Sequence, residues 1–210
     1  MTSAAQIQSP RSPAPWAEVV PGYSPVGVDI LLEMPDDGYT YEVIEGVLVR
    51  MAGSGNRATT TAAVLLAALV TYVRPRRLGV TTGADGVYKF PGAETGLIPD
   101  VGFYTAARLP EIVDQDKPIP FAPDLAVEVA SPDQSSSAMA AKARTYLRAG
   151  TRLVWVVWPQ SGHVDVWHQD VLTGPSDVLA VGGTLDGEQV VPGFTYPVAD
   201  LFADPLQPEE

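Results

Sequence analysis

Apolar and polar residues alternate along "YTYEVIEGVLVRM", residues 39 to 51, closely enough to predict two strands joined by a hairpin that turns near Glu45 and Gly46. The period then changes. In "ATTTAAVLLAALVTYVRPR", Val64, Leu65, Ala68, Leu69 and Tyr72 recur at steps of three and four, which predicts a helix ended by Pro75, its apolar stripe laid on a sheet. "GVTTGADGVYKF" and "LIPDVGFY" read as strands on either side of the turn-rich "PGAETG". After a loop containing "DQDKPIP" comes a strand, "PDLAVEVAS", and then a second helix, "SSSAMAAKARTYLRAG", with serines to cap its start and Gly150 to stop it. "RLVWVVWP" is continuously apolar and branched, as a central strand buried on both faces must be, and "HVDVWHQ" folds back on it across "PQSG".

The strand "PDLAVEVAS" carries the most informative pattern. Side chains alternate across a strand, so Leu125, Val127 and Val129 share one face, and Asp124, Ala126, Glu128 and Ala130 share the other. A carboxylate buried in such a segment must be neutralised, paired or bound to a metal. The small alanines leave space beside Glu128 for a pocket; a face wetted by solvent at a sheet edge is the alternative. Asp100 in "LIPDVGFY" stands directly after a proline at a strand start, as Asp124 does in "FAPDLAVE", and either aspartate could simply stabilise a turn. If the strands bearing Asp100 and Glu128 are neighbours, their carboxylates can converge on a hard cation such as Mg²⁺, which takes oxygen ligands.

Composition narrows the class. The chain has 210 residues, 46% of them hydrophobic, enough for one sizeable domain with tails. The Pro-, Ser- and Ala-rich residues 1–28 read as a flexible arm, 29–204 as a single domain, and 205–210 as a short acidic tail. With no cysteine, disulfides and thiolate metal sites are excluded. The N-terminus lacks the apolar core of a secretory signal, and no apolar run is long enough to span a bilayer, so a cytoplasmic protein without membrane contact is expected. The net charge of −12 argues against holding nucleic acid by general electrostatics. Many of the acids lie in the flanks, however, and cations gather at Arg74, Arg76 and Arg77 and at Lys142, Arg144, Arg148 and Arg152; solvated surface is the plain reading of both groups. Trp155, Trp158 and Trp167 on the late strands fit a core, or a homodimer interface.

The succession "YEVIEGVLVRM", "IPDVGFY", "PDLAVEVASPD", "KARTYLRAGTRLVWVVWP" and "GGTLDGEQVVPGFTYPVADLF" resembles the large bacterial family of putative restriction endonucleases, over nearly the whole chain from about residue 29. The resemblance implies an α/β fold with a PD-(D/E)-x-K nuclease core: a mixed central β-sheet flanked by α-helices, with added β-hairpins, and acids on adjacent strands holding Mg²⁺ or Mn²⁺. Carried over residue by residue, it makes Asp100 the aspartate of the Pro-Asp motif and Glu128 the acid of the next strand, with the main-chain carbonyl of Val129 as an extra metal ligand. Ala130 stands where the motif would have its lysine. The resemblance implies that the amine has moved to the following helix as Lys142, one turn before Tyr146 on the same face. Glu42 matches a family glutamate that positions groups or lies outside the metal's own ligands; a hairpin salt bridge would account for it equally. Family members often carry a histidine before the first long helix, where this chain has Asn56, Arg57 and Ala58. The implied activity is metal-assisted hydrolysis of DNA phosphodiesters. A catalytically silent binding or assembly module, and a hydrolase or binder of small phosphorylated molecules, remain as the alternatives.

Overall fold

The computed structural model describes residues 14–203. In chain order its strands and helices are β1 (Glu18–Val19), β2 (Tyr39–Ile44), β3 (Val47–Ala52), α1 (Asn56–Arg76), β4 (Gly79–Thr82), β5 (Tyr88–Lys89), β6 (Gly96–Leu97) and β7 (Val101–Thr105). They continue with β8 (Leu125–Val129), α2 (Ser136–Arg148), β9 (Leu153–Trp158), β10 (His163–His168), β11 (Asp177–Ala180), β12 (Thr184–Asp186), β13 (Thr195–Pro197) and α3 (Val198–Phe202). The main sheet has the order β11-β10-β9-β8-β7-β4. It is mixed: β8 and β9 run parallel, while its other neighbours pair antiparallel. The parallel pair is reached through α2, because parallel neighbours need a crossover. A second sheet, β1-β3-β2-β6-β5, is antiparallel throughout.

The hairpin of β2 and β3 turns at Glu45 and Gly46, with φ of 51° and 77°. Two successive positive φ angles match the twist of the flanking strands, and glycine bears the second without strain. Helix α1 lays Leu65, Leu69 and Val73, at steps of four, on one face of the main sheet against Val101, Phe103, Leu125, Val127 and Val129. Val64, expected in that stripe, is 39% exposed instead. Pro75 does not end α1. It lies in the last turn, where the proline withdraws a single N–H, and Arg77 at φ 55° closes the helix with bonds to Arg74 and Val73 carbonyls. Helix α1 has 21 residues and holds an 18-residue stretch of mean hydropathy 1.3, long and apolar enough to cross a membrane by length and composition, contrary to the sequence expectation; its stripe is packed on the sheet.

On the other face of the main sheet, α2 packs Ala138, Met139, Ala143, Tyr146 and Leu147 against Ala126, Ala130, Val154 and Val156, and the second sheet closes the same core through Ile44, Val49, Tyr88 and Leu97. The two faces of β8 therefore split as the alternation predicts. β8 is interior rather than at an edge, and all five of its residues are buried. Trp155 and Trp167 are core residues, while Trp158 is half-buried.

Two segments differ from their single-strand reading. "GVTTGADGVYKF" divides into β4 and β5, and "LIPDVGFY" follows β6 with β7, the members of each pair lying in different sheets. The chain crosses between sheets at Gly83–Gly86 and at Ile98–Asp100, the second crossing carrying Pro99, which has no N–H for a ladder. The expected arm also differs. Residues 1–13 and the tail 205–210 lie outside the described residues, but from residue 14 onward the segment is packed: Ala14 and Trp16 are buried, and β1 pairs with β3. One glycine next to the site is fixed by crowding. A Cβ on Gly102 would meet the Tyr88 hydroxyl and come within 2.6 Å of Thr82 Oγ1, two groups already hydrogen-bonded at 2.8 Å. Gly102→Ala should cost about 1–3 kcal/mol, the usual penalty of overpacking, read as a lowered midpoint in urea unfolding.

Candidate active site

Strands β7 and β8 pair with Val101 opposite Val127. One step further along that register Asp100 falls opposite Glu128, and residues directly opposite on antiparallel strands share a face. Asp100 Oδ2 accepts the backbone N–H of Val129 at 2.6 Å, so its carboxylate finishes the ladder where the β7 backbone leaves the sheet. The same register sets Pro99 against Val129, and a proline has no N–H to occupy that residue's carbonyl.

Helix α2 supplies the opposite charge. Lys142 Nζ donates to Glu128 Oε2 at 2.8 Å and lies 3.1 Å from Glu42 Oε1, and one turn later the Tyr146 hydroxyl donates to Glu128 Oε1 at 2.8 Å. Side chains four apart on a helix lie one above the other, which is why both reach one carboxylate. Lys142 is 3% exposed, so it is not the solvated helix lysine that composition alone proposes. Glu42, fully buried on β2, pairs with Lys142 of α2 rather than within its hairpin, and Trp16 Nε1 donates to its Oε2 at 2.9 Å and Ile98 N–H to its Oε1 at 3.3 Å. The structure thus brings together all four side chains singled out in the sequence, Asp100, Glu128, Lys142 and Glu42. They line or underlie one cleft of about 550 Å³, which Trp16, Val129 and Arg50 also line.

Trp16 is the site residue that sequence reasoning missed. The signal was present in "PWAEVV", where an aromatic and two valines interrupt a Pro-rich stretch. Asp124, by contrast, stays outside the cluster. It accepts the Thr105 N–H at 2.8 Å and lies 3.8 Å and 3.6 Å from Arg108 and Arg152, a buried anchor for the loops at the start of β8. The two histidines are apart as well, His163 beside Ser161 and Asp165, His168 on Glu188.

Two buried carboxylates, Glu42 and Glu128, and the half-buried Asp100 around one ammonium leave an excess of negative charge, and the pKa shifts of the cluster follow from it and from burial. Burial pushes Glu128 up to about 8, against the attraction of Lys142 and with Asp100 and Glu42 adding repulsion. Burial likewise raises Asp100, opposed by the Val129 N–H and Lys142. For Lys142, desolvation would lower the pKa, but Glu128, Glu42 and Asp100 outweigh it and the ammonium is held above its ordinary range. Tyr146 is raised well above 10 by burial and by Glu128, so it stays a donor. The sign for stability follows. An acid whose folded pKa exceeds its unfolded one binds more protons when folded, so the metal-free protein should lose stability as pH rises from about 4.5 to 8. Lys142 adds no slope in that window, because it is charged in both states. Urea unfolding in chelator across this range should show the decline, and Glu128→Gln should flatten it.

The donor set fits a divalent cation. Among the described residues no donor bonds Asp100 Oδ1, Asp100 lines the cleft, and the excess charge beside it is what a cation would balance. Among the described residues no three His, Cys, Asp or Glu side chains form a complete cage. A hard cation such as Mg²⁺ takes one or two carboxylates and completes its shell with waters and substrate oxygens.

A mixed sheet with helices on both faces, ending in two opposed acids beside a buried lysine, defines the class as α/β. The chain belongs to the Uma2 family, described as "Putative restriction endonuclease", whose family model matches residues 28–199. Its fold is similar to the crystal structure of a putative nuclease belonging to DUF820 from Anabaena variabilis ATCC 29413, with a TM-score of 0.69 at 20% identity, covering 85% of this chain and 98% of that one. No curated protein matches the chain.

Proposed function

We propose that this protein is a metal-dependent endonuclease with a PD-(D/E)-x-K-type site that hydrolyses DNA phosphodiester bonds. The observation that carries the reading is the opposition of Asp100 and Glu128 on adjacent strands with Lys142 on Glu128. Asp100, Glu128 and the Val129 carbonyl would hold Mg²⁺ or Mn²⁺, which, when bound, lowers the pKa of water and offsets charge developing on the phosphoryl oxygens. Lys142 fixes the Glu128 carboxylate and keeps a positive charge at the rear of the cleft, where an anionic transition state gains most because the surroundings are dry. Glu42, tied by Trp16 and the Ile98 N–H, holds Lys142 from its other side. Tyr146 completes the clamp on Glu128. Each of these groups is held by a hydrogen bond or ion pair to another, the kind of fixed arrangement that electrostatic catalysis requires.

One observation favours a catalytically silent module instead: both Glu128 oxygens already accept protein donors, so the cluster is also a satisfied polar core. Incubation of supercoiled plasmid with the full chain and Mn²⁺ or Mg²⁺ separates the two readings. Nicking or linearisation that disappears in chelator and in Glu128→Gln is the expected result. An intact plasmid under all conditions, with a well-folded protein, would leave the silent module; turnover of nucleotides but not DNA would favour the small-phosphate hydrolase.

A further inference from the structure

The cations of the cleft are already engaged. Lys142 and Arg50 are the two that line it among the described residues. Lys142 is committed to Glu128 and Glu42. Arg50 stands opposite Tyr41 in the β2–β3 ladder, so its side chain leaves on the face of the second sheet that Glu42 does not use. There it lies over the Tyr39 ring at 4.5 Å and 3.7 Å from Glu18. The acids Asp100, Glu128, Glu18 and Asp133 line the same walls. A phosphate entering between them is repelled unless a bound cation and neutral donors meet it.

One neutral donor is held in place for this. The turn from Ser131 to Gln134, between β8 and α2, is closed twice: the Gln134 N–H donates to the Ser131 carbonyl at 3.0 Å, and the Ser131 N–H donates to Gln134 Oε1 at 2.9 Å. A main-chain N–H can only donate, so the atom it meets is the oxygen of the amide, and this settles which end of the side chain is which. The other end is an NH₂ with two donors, and among the described residues no acceptor takes them. Gln134 is half-buried and lines the cleft together with Asp100, Glu128 and Val129. The turn has ordered this long side chain before any ligand arrives, so a contact made by its free end loses little further rotamer entropy.

We propose that the Gln134 amide NH₂ binds a non-bridging oxygen of the DNA phosphate at the Asp100–Glu128 centre. The inference rests on the nuclease reading of that centre and adds a residue that touches its substrate. An uncharged donor suits the position: a cation there would be drawn to the acids of the cleft and would compete with a metal for them. The amide instead keeps its oxygen on the main chain and its protons for the ligand.

Two substitutions rank in opposite order for a phosphate contact and for a turn that merely holds the loop. Gln134→Glu keeps an oxygen for the Ser131 N–H but puts a second oxygen and a negative charge where the donors were; Gln134→Ala removes both ends. The full chain is examined by fluorescence anisotropy with a labelled DNA duplex in Ca²⁺, by cleavage of the same duplex in Mn²⁺, and by urea unfolding. Gln134→Ala should weaken DNA binding about tenfold, the order of a hydrogen bond to a charged group, and Gln134→Glu should weaken it further although its urea midpoint is at least that of the wild type. Wild-type affinity in Gln134→Glu, whether or not Gln134→Ala is impaired, overturns the proposal, because the turn is then all that the residue serves. Loss of Mn²⁺ binding in a folded Gln134→Ala overturns it too, by making the residue a metal ligand. The expected ranking in a chain that cuts no DNA would keep the phosphate contact and remove the nuclease; cleavage and binding unchanged in both variants would do the reverse. A wild type that neither binds nor cuts the duplex overturns both.

Discussion

Lys142→Met should lower the folding free energy by about 3–5 kcal/mol, the cost of removing one partner from a buried ion pair. The side chain is 3% exposed between Glu128 and Glu42, so its loss leaves two carboxylates facing each other without a cation. Set against a typical domain stability of about 5–15 kcal/mol, this removes between about a fifth and the whole of it. The deficit should shrink in acid, where the carboxylates take up protons, and adding Glu128→Gln should recover part of it: the amide removes one of the unpaired charges, and its carbonyl oxygen can still accept the Tyr146 hydroxyl. Urea midpoints at neutral and acidic pH measure both effects. A Lys142→Met protein as stable as the wild type would mean that the lysine is not the counter-charge of this cluster.

The second large effect concerns chemistry rather than stability. Asp100→Asn keeps an oxygen to accept the Val129 N–H, so the end of the β7–β8 ladder and the fold should survive, with a urea midpoint near that of the wild type. The charge beside Glu128 is gone, however. A cation ligand that contributes several kcal/mol in the transition state is worth at least about a hundredfold in rate, and plasmid cleavage with Mn²⁺ should fall by that much or more. The contrast between the two variants, one losing fold and the other losing activity, separates the counter-ion from the metal ligand. Equal cleavage by Asp100→Asn would place the chemistry elsewhere.

Part of this cluster was legible in the sequence from local periodicity, while Lys142 and Glu42 were singled out only through the family resemblance. The alternation in "PDLAVEVAS" assigns Glu128 to one face and the valines to the other without knowledge of any partner strand, and the four-residue step from Lys142 to Tyr146 puts both on one side of α2. The hairpin at Glu45 and Gly46 and the buried β9 follow from patterns equally short in range. That Asp100 and Glu128 are opposite each other was only conditional, since register between strands 25 residues or so apart is set by the sheet as a whole. The division of "GVTTGADGVYKF" and "LIPDVGFY" between two sheets was not legible, because each half satisfies the same two-residue period whichever sheet receives it. Trp16 was hidden for a different reason. A proline-rich stretch looks unable to bury anything, yet one indole N–H aimed at Glu42 and two residues of pairing with β3 suffice to seat it over the cleft. Burial of Lys142 was likewise invisible from composition, which places lysines on surfaces; it follows from three carboxylates that need one cation.

The measurement that bears most directly on the account is a calorimetric titration of Mn²⁺ into the wild type and into Asp100→Asn. A single saturable site in the wild type, absent or weakened by at least tenfold in a variant that remains folded, is the result expected of two opposed acids sharing an ion. Identical titrations of the two proteins, or no heat in either, would contradict it.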